Sequence, residues 1–407
     1  MRPFIFLCEQ PVNSICIEQL PASRKTLRLA VVTETYPPEI NGVAITLSRF
    51  IDGLRERNHE IQLIRPRQNA TEHPALVGGF NELLTGGVPI PRYPDLKMGF
   101  PAKRMLVSQW TRHRPDLVHI VTEGPLGWSA LLAAIKLRIP VCSDFRTNFH
   151  AYSLHYGIGW LKKPIIAYLR RFHNRCLMTM VPTRQMQAEL SDCGFHNLRV
   201  VARGVDARLF NPGRRSESLR RQWGVAPDTP VAIHVGRLAA EKNLTALCAA
   251  FIGIRQRHPA ARLVLVGDGP ETGALRIRVP DAIFVGTRQG EELATHYASG
   301  DFFLFPSLTE TFGNVTLEAM ASGLPVVAYN YAAAAQHLRH GDNGLLASYG
   351  QTIDFVAKGG EIAARYAQEP ERFRAMGHRA RLTAESLDWP RVVQDFESLL
   401  LAVARDD

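Results

Sequence analysis

Residues 301–329 read DFFLFPSLTETFGNVTLEAMASGLPVVAY, and how this stretch is parsed decides the fold. After Asp301 the run Phe302 to Pro306 is unbroken apolar chain, too short for a helix and closed by proline, which describes a strand buried on both faces. Gly313 and Asn314 then introduce VTLEAMAS, a short helical segment stopped by Gly323 and Pro325. A second β-branched run, LPVVAY at 324–329, follows at once. Strand, helix and strand in about 30 residues form a βαβ unit. Such a unit demands a parallel sheet with a right-handed crossover. Two acids mark it: Glu310 in the loop after the first strand, and Glu318 about one turn into the helix. In open α/β sheets ligands gather at the carboxyl ends of the strands, so these acids stand where chemistry is expected.

The same rhythm extends in both directions. LRLAVVTE (27–34), EIQLIRP (60–66), DLVHIVT (116–122), IPVCSDF (139–145) and LMTMVPT (177–183) alternate with helical stretches. The series restarts with PVAIHVGR (230–237), ARLVLVGDG (261–269), AIFVGT (282–287) and the two strands already quoted. The fold class predicted is α/β, with two doubly wound parallel sheets in succession. GVDARLFNPG, rich in Gly, Asn and Pro, sits between them as a linker near residue 205. A chain of 407 residues is long enough for two cores. The periodic stretches at 291–299 and 353–368 read as packing faces of ordinary helices.

Composition excludes several classes. Apolar residues at 46% and charged residues at 21% are globular values, without biased tracts or repeats. The six cysteines show neither metal-ligand spacing nor a disulfide framework and read as reduced thiols of a cytoplasmic protein. The first 20 residues are a poor secretory signal, and LGWSALLAAI is too short to cross a bilayer. Any membrane contact is therefore peripheral. Residues 1–205 hold 26 Lys and Arg against 15 Asp and Glu, whereas the remainder holds 22 against 23. An anionic partner for the first half is implied. Nucleic acid is not favoured, because the basic residues are dispersed and carry no recognition motif.

Four strand-end loops concentrate the candidate chemistry. In TETYPPEINGVAITLSRF (33–50), Gly42 opens a helix and would let backbone approach a phosphate; a plain turn glycine is the bland alternative. In RLAAEKN (237–243), Arg237 and Lys242 flank a helix entry, where positive charge opposes the helix dipole unless an anion, such as a diphosphate, lies between. In the opening stretch, Glu310 and Glu318 suit vicinal hydroxyls, and the amides of Phe312, Gly313, Asn314 and Val315 suit a phosphate or sugar oxygen. In SDFRTNFHAYSLHYGIG (143–159), Asp144, Arg146, Asn148, His150 and Tyr152 suit acceptor recognition or proton handling. A lone histidine in such a loop is more often structural than catalytic.

Taken together, YPPEINGVAITL, VPTRQMQAEL, GVDARLFNP, HVGRLAAEKN, LVGDGP and SLTETFGNVTLEAMASGLPVVAYN occur in the order found in the retaining glycosyltransferases of family 4, which this sequence resembles from residue 27 to 346. The resemblance implies the GT-B fold, two Rossmann-like domains facing across a cleft. It divides the chain into an extension (1–26), an acceptor domain (27–205), a donor domain (206–385) and a C-terminal helix (386–407) returning to the first domain. It implies a nucleotide-sugar donor, with Arg237 and Lys242 on the diphosphate, Gly42 approaching from the other domain, Glu318 on the ribose and Glu310 on the sugar. Gly286 and Thr287 would join the donor site. No cofactor and no metal are expected, because the two cations offset the leaving-group charge.

Two departures from the family stand out. Phe145-Arg146-Thr147 replaces a Phe-His-Thr triplet, so that Arg146 or His150 assumes the histidine's role. In YNYAAAAQHLRHGDNG, Ala333 and Ala334 replace a Gly-Gly pair, with Gln336 or His337 where relatives carry an acid. TNFHAYSLHYG and RGVD look most like the subgroup of mannosyl- and glycolipid-forming enzymes, implying GDP-mannose or a UDP-hexose as donor and a lipid, lipid-linked or glycan acceptor. The segments at 100–115 and 159–175 mix aromatics with cations, as surfaces that bind the inner face of the cytoplasmic membrane do. A solvated basic face is their bland reading. Other functions open to this architecture are a nucleotide-sugar-binding protein with little turnover and a nucleotide-sugar epimerase.

Overall fold

The computed structural model describes residues 25–39, 41–69, 71–90, 93–146 and 162–404. Among the described residues the first half holds the strands β1 (Arg28–Val32), β2 (Glu60–Pro66), β3 (Leu76–Val77), β4 (Phe80–Thr85), β5 (Gly87–Ile90), β6 (Tyr93–Gly99), β7 (Leu117–Ile120), β8 (Val141–Asp144), β9 (Met178–Val181) and β10 (Leu198–Val200). The second holds β11 (Val231–Val235), β12 (Arg262–Val266), β13 (Ile283–Gly286), β14 (Phe302–Phe305), β15 (Val326–Tyr329) and β16 (Gly344–Ala347).

The first sheet runs β10-β9-β8-β7-β1-β2-β4-β3, parallel except for β3 against β4, while β5 and β6 form a separate antiparallel ribbon. The second runs β13-β12-β11-β14-β15-β16 and is parallel throughout. Its order, third-second-first-fourth-fifth-sixth, is that of a dinucleotide-binding sheet, whose direction of winding reverses between the first and fourth strands. The crevice therefore opens beyond the carboxyl ends of β11 and β14.

The central strands of both sheets are buried on both faces, which is why they read as continuous apolar runs. In β1, Leu29 and Val31 pack with Phe50 and Leu54, whereas Ala30 and Val32 pack on the opposite face with Trp110, Leu126 and Leu131. In β14, Phe303 and Phe305 join one core of the second half, and Phe302 and Leu304 the other. The last helix, Trp389–Val403, belongs to the first half's core: Phe396 lies 4.2 Å from Phe50, centroid to centroid. Its Glu397 accepts 2.8 Å from His59 and 2.9 Å from Arg57. The connection near residue 205 is tied down, with Val205 N donating to the Leu387 carbonyl.

Candidate functional site

The loop after β11 is moulded by the loop after β12. Gly267 has φ +132°, and a Cβ there would fall 2.0 Å from the Gly236 carbonyl oxygen. Leu238 N donates to the Asp268 carbonyl and Glu271 N to that of Leu238. This zipped pair of loops presents Arg237 and, on the short turn Ala240–Lys242, the second cation. Arg237 is 46% exposed and stands 3.7 Å from Glu241.

Lys242 reaches across the switch point and ion-pairs with Glu310. Ser307 Oγ donates to the same carboxylate oxygen at 2.7 Å. Burial raises the Glu310 pKa, but Lys242, the Ser307 hydroxyl and Arg203 outweigh it, and the carboxyl titrates below its ordinary range. Glu318, on the helix Asn314–Ala321, differs. Its one opposing influence is the Tyr297 hydroxyl, donating at 2.9 Å, and burial pushes its pKa up to about 7. Two neighbouring acids thus divide by environment into a fixed anion and a group that changes charge near neutrality.

Gly313 caps the helix at φ +91°, a conformation that favours glycine. Asn314 and Val315 open the helix, whose first amides have no intrahelical acceptors. The Phe312 side chain is core; its carbonyl accepts from Ala333 N at 2.8 Å. Gly42, from the first half, is close: a Cβ on it would lie 3.9 Å from Asn314 Nδ2. The amides expected to meet a phosphate behind Gly42 are committed, because Asn41 Oδ1 accepts from Val43 N and Ala44 N. What Gly42 leaves is room. Gly286 ends the edge strand β13, three strands from β14, and its carbonyl accepts from Gly267 N; Thr287 follows it.

Asp144 has protein partners of its own. It is buried at the end of β8, 2.5 Å from Arg146 Nε and 3.2 Å from His119 Nε2. Burial raises its pKa, yet Arg146 and His119 overcome this and hold it at about 2. Asn148, His150 and Tyr152 lie outside the described residues.

Three groups escaped the sequence reading. Tyr297 lies on the helix Gly290–Ser299, read only as a packing face; a tyrosine among apolar neighbours needs a hydroxyl partner, and that was the available signal. Ser307 stood within the quoted stretch. Arg203, the arginine of RGVD, is 5% exposed and donates to Asn314 Oδ1 at 3.3 Å, joining the two halves.

Residues 229–364 match the family model described as Glycosyl transferases group 1, and residues 40–209 match Glycosyltransferase Family 4. The chain is 33% identical to a GDP-mannose-dependent alpha-mannosyltransferase of Mycobacterium tuberculosis, covering 91% of this chain and 95% of that one. It is 34% identical to a protein of the same description from Corynebacterium glutamicum, over 79% and 77%. It is 32% identical to sulfoquinovosyl transferase SQD2 of Arabidopsis thaliana, over 90% and 71%. Its fold is similar to that of Anabaena HepE, solved with UDP and glucose, at TM-score 0.71 and 20% identity over 92% of this chain and 100% of that one. These matches, together with the paired sheets and the strand-end acids and cations, show that the chain belongs to the family 4 glycosyltransferases and has the GT-B fold.

Proposed function

We propose that the protein moves a hexose from GDP-mannose or a UDP-hexose to a lipid or glycan acceptor, with α configuration retained. The observation that carries this is the Lys242–Glu310–Ser307 cluster at the switch point of the second sheet. A donor diphosphate competes with Glu310 for Lys242, drawing the ammonium onto phosphate and freeing the carboxylate for sugar hydroxyls. Arg237, exposed and on the same loop, closes on the diphosphate from the other side. Ionised Glu318 accepts from the ribose hydroxyls. Both cations stabilise charge as the bond from the anomeric carbon to phosphate breaks and the acceptor oxygen attacks on the same face, its proton passing to the departing phosphate. Neither acid serves as a hydrolase-type nucleophile, and the cations fill the place a metal would take. GDP-mannose is the first candidate donor because two of the relatives above are described as GDP-mannose-dependent.

A membrane surface is part of this reading. Exposed Lys103, Arg104 and Arg112 on the helix Lys103–Arg112, and Lys163, Arg170 and Arg171 on Lys162–His173, would meet anionic lipid at about 1 kcal/mol each. Among the described residues no helix is long and apolar enough to cross a membrane.

The test is thermal stabilisation by GDP-mannose, UDP-glucose, UDP-galactose, UDP-N-acetylglucosamine and ADP-glucose, followed by NMR of the product's anomeric signal. Stabilisation by one donor and an α product are expected. No shift with any of them, or a β product, would refute the proposal.

A further inference from the structure

Arg203 does more than the donor site requires. Arg203 is 5% exposed and Arg146 8%, and both line one pocket with Phe50, Asp144 and Pro182. Asp144 is the carboxylate of this pocket, and it is already engaged by Arg146 and His119. Arg203 makes no ion pair among the described residues: its Nη1 donates to a neutral amide oxygen at 3.3 Å, the Phe312 ring is 5.7 Å away, Asp144 and Glu310 act on it only through their charge, and its buried Nη2 has no hydrogen-bond partner among the described residues. Burial, aided by the neighbouring Arg146 charge, outweighs the pull of Asp144 and Glu310 and lowers the Arg203 pKa to about 9. A guanidinium held this way is costly unless a ligand completes it. Gly42 keeps side-chain atoms off the guanidinium, since an added Cβ would stand in contact with it, 3.7 Å from Nη1.

We infer that Arg203 and Arg146 form a phosphoryl-binding site on the first sheet's side of the cleft, filled by the donor's terminal phosphate or by a phosphate carried on the acceptor. The planar fork of arginine matches phosphoryl oxygens, and two cations against one engaged carboxylate favour an anion over a neutral hydroxyl. This deepens the donor reading above and rests on it only where the phosphate is the donor's.

Calorimetric titration of the full chain with GDP, GMP, UDP, UMP and inorganic phosphate, in wild type, Arg203→Gln and Arg203→Lys, tests it. If the donor supplies the phosphate, Arg203→Gln weakens the diphosphates at least about tenfold and leaves the monophosphates within about twofold. If the acceptor supplies it, diphosphate affinities hold and binding of inorganic phosphate is lost. Wild type that binds phosphate through Arg203 but neither diphosphate would sink the donor reading and keep this site. Should Arg203→Gln fail to fold, Arg203→Lys decides, with a smaller loss in the same direction expected because an ammonium lacks the fork. Folded variants that match wild type toward every probe would overturn the inference.

Discussion

Glu318 and Glu310 show how little of a residue's behaviour lies in its type. Glu310 is held ionised by Lys242 and Ser307, whereas Glu318, with only a tyrosine hydroxyl, titrates at about 7. The sign follows directly. Between about 4.5, the value in the unfolded chain, and about 7, the folded protein keeps a proton that the unfolded chain has lost, so this group's contribution to stability falls as pH rises through that window. Glu34 carries the same sign: burial raises it to about 7 against hydrogen bonds from Leu126 N and Gly99 N. Glu318→Gln is expected to remove part of the slope in urea titrations across that window, and an unaltered slope would contradict the assignment. Ribose hydroxyls donate best to the ionised form, so nucleotide affinity is expected to fall below about pH 7 in wild type and to stay flat in Glu318→Gln. Lys242→Ala is expected to lower kcat/KM by about 10² to 10³, the usual loss for one charge-stabilising donor; a change under threefold in steady-state assays would remove Lys242 from the mechanism.

At the scale of elements, the strand-end loops depend on one another. Gly267 touches the backbone that carries Arg237, and its φ of +132° is closed to other residues. Gly267→Ala is expected to cost about 3 kcal/mol, read as a lower urea midpoint, and to weaken nucleotide binding as well; an unchanged midpoint would show that the loops are independent. The elements themselves were legible. The run at 301–306 became the strand Phe302–Phe305, and VTLEAMAS became most of the helix Asn314–Ala321. Period and punctuation are local properties, and the chain displays them. Partners were not legible. Tyr297 meets Glu318 across 21 residues and Arg203 meets Asn314 across 111, and periodicity names a buried face without naming what the face touches. The partners of Asp144 were hidden for the same reason: Arg146 and His119 come from the adjacent loop and the neighbouring strand β7.

Across the whole molecule, two parallel sheets bring separate strand ends to one cleft, and the chain's last helix ties back onto the first sheet through Phe396 and Glu397. Glu397→Ala strands Arg57 and buried His59 and is expected to destabilise by about 3 kcal/mol in urea unfolding, with an unchanged midpoint counting against the tie. On anionic vesicles at low salt the protein is expected to co-sediment, and to do so less after Arg170 and Arg171 are replaced by Ser; no sedimentation would end the membrane reading. On the proposed function, the cleft-side acids and cations of the second sheet hold a nucleotide sugar. Equilibrium titration of wild type, Arg237→Ala, Lys242→Ala and Glu318→Ala with GDP and UDP is the decisive experiment. One saturable site for at least one of the two nucleotides, weakened about tenfold or more by each substitution, is the expected result. Affinity unchanged in all three folded variants would contradict it.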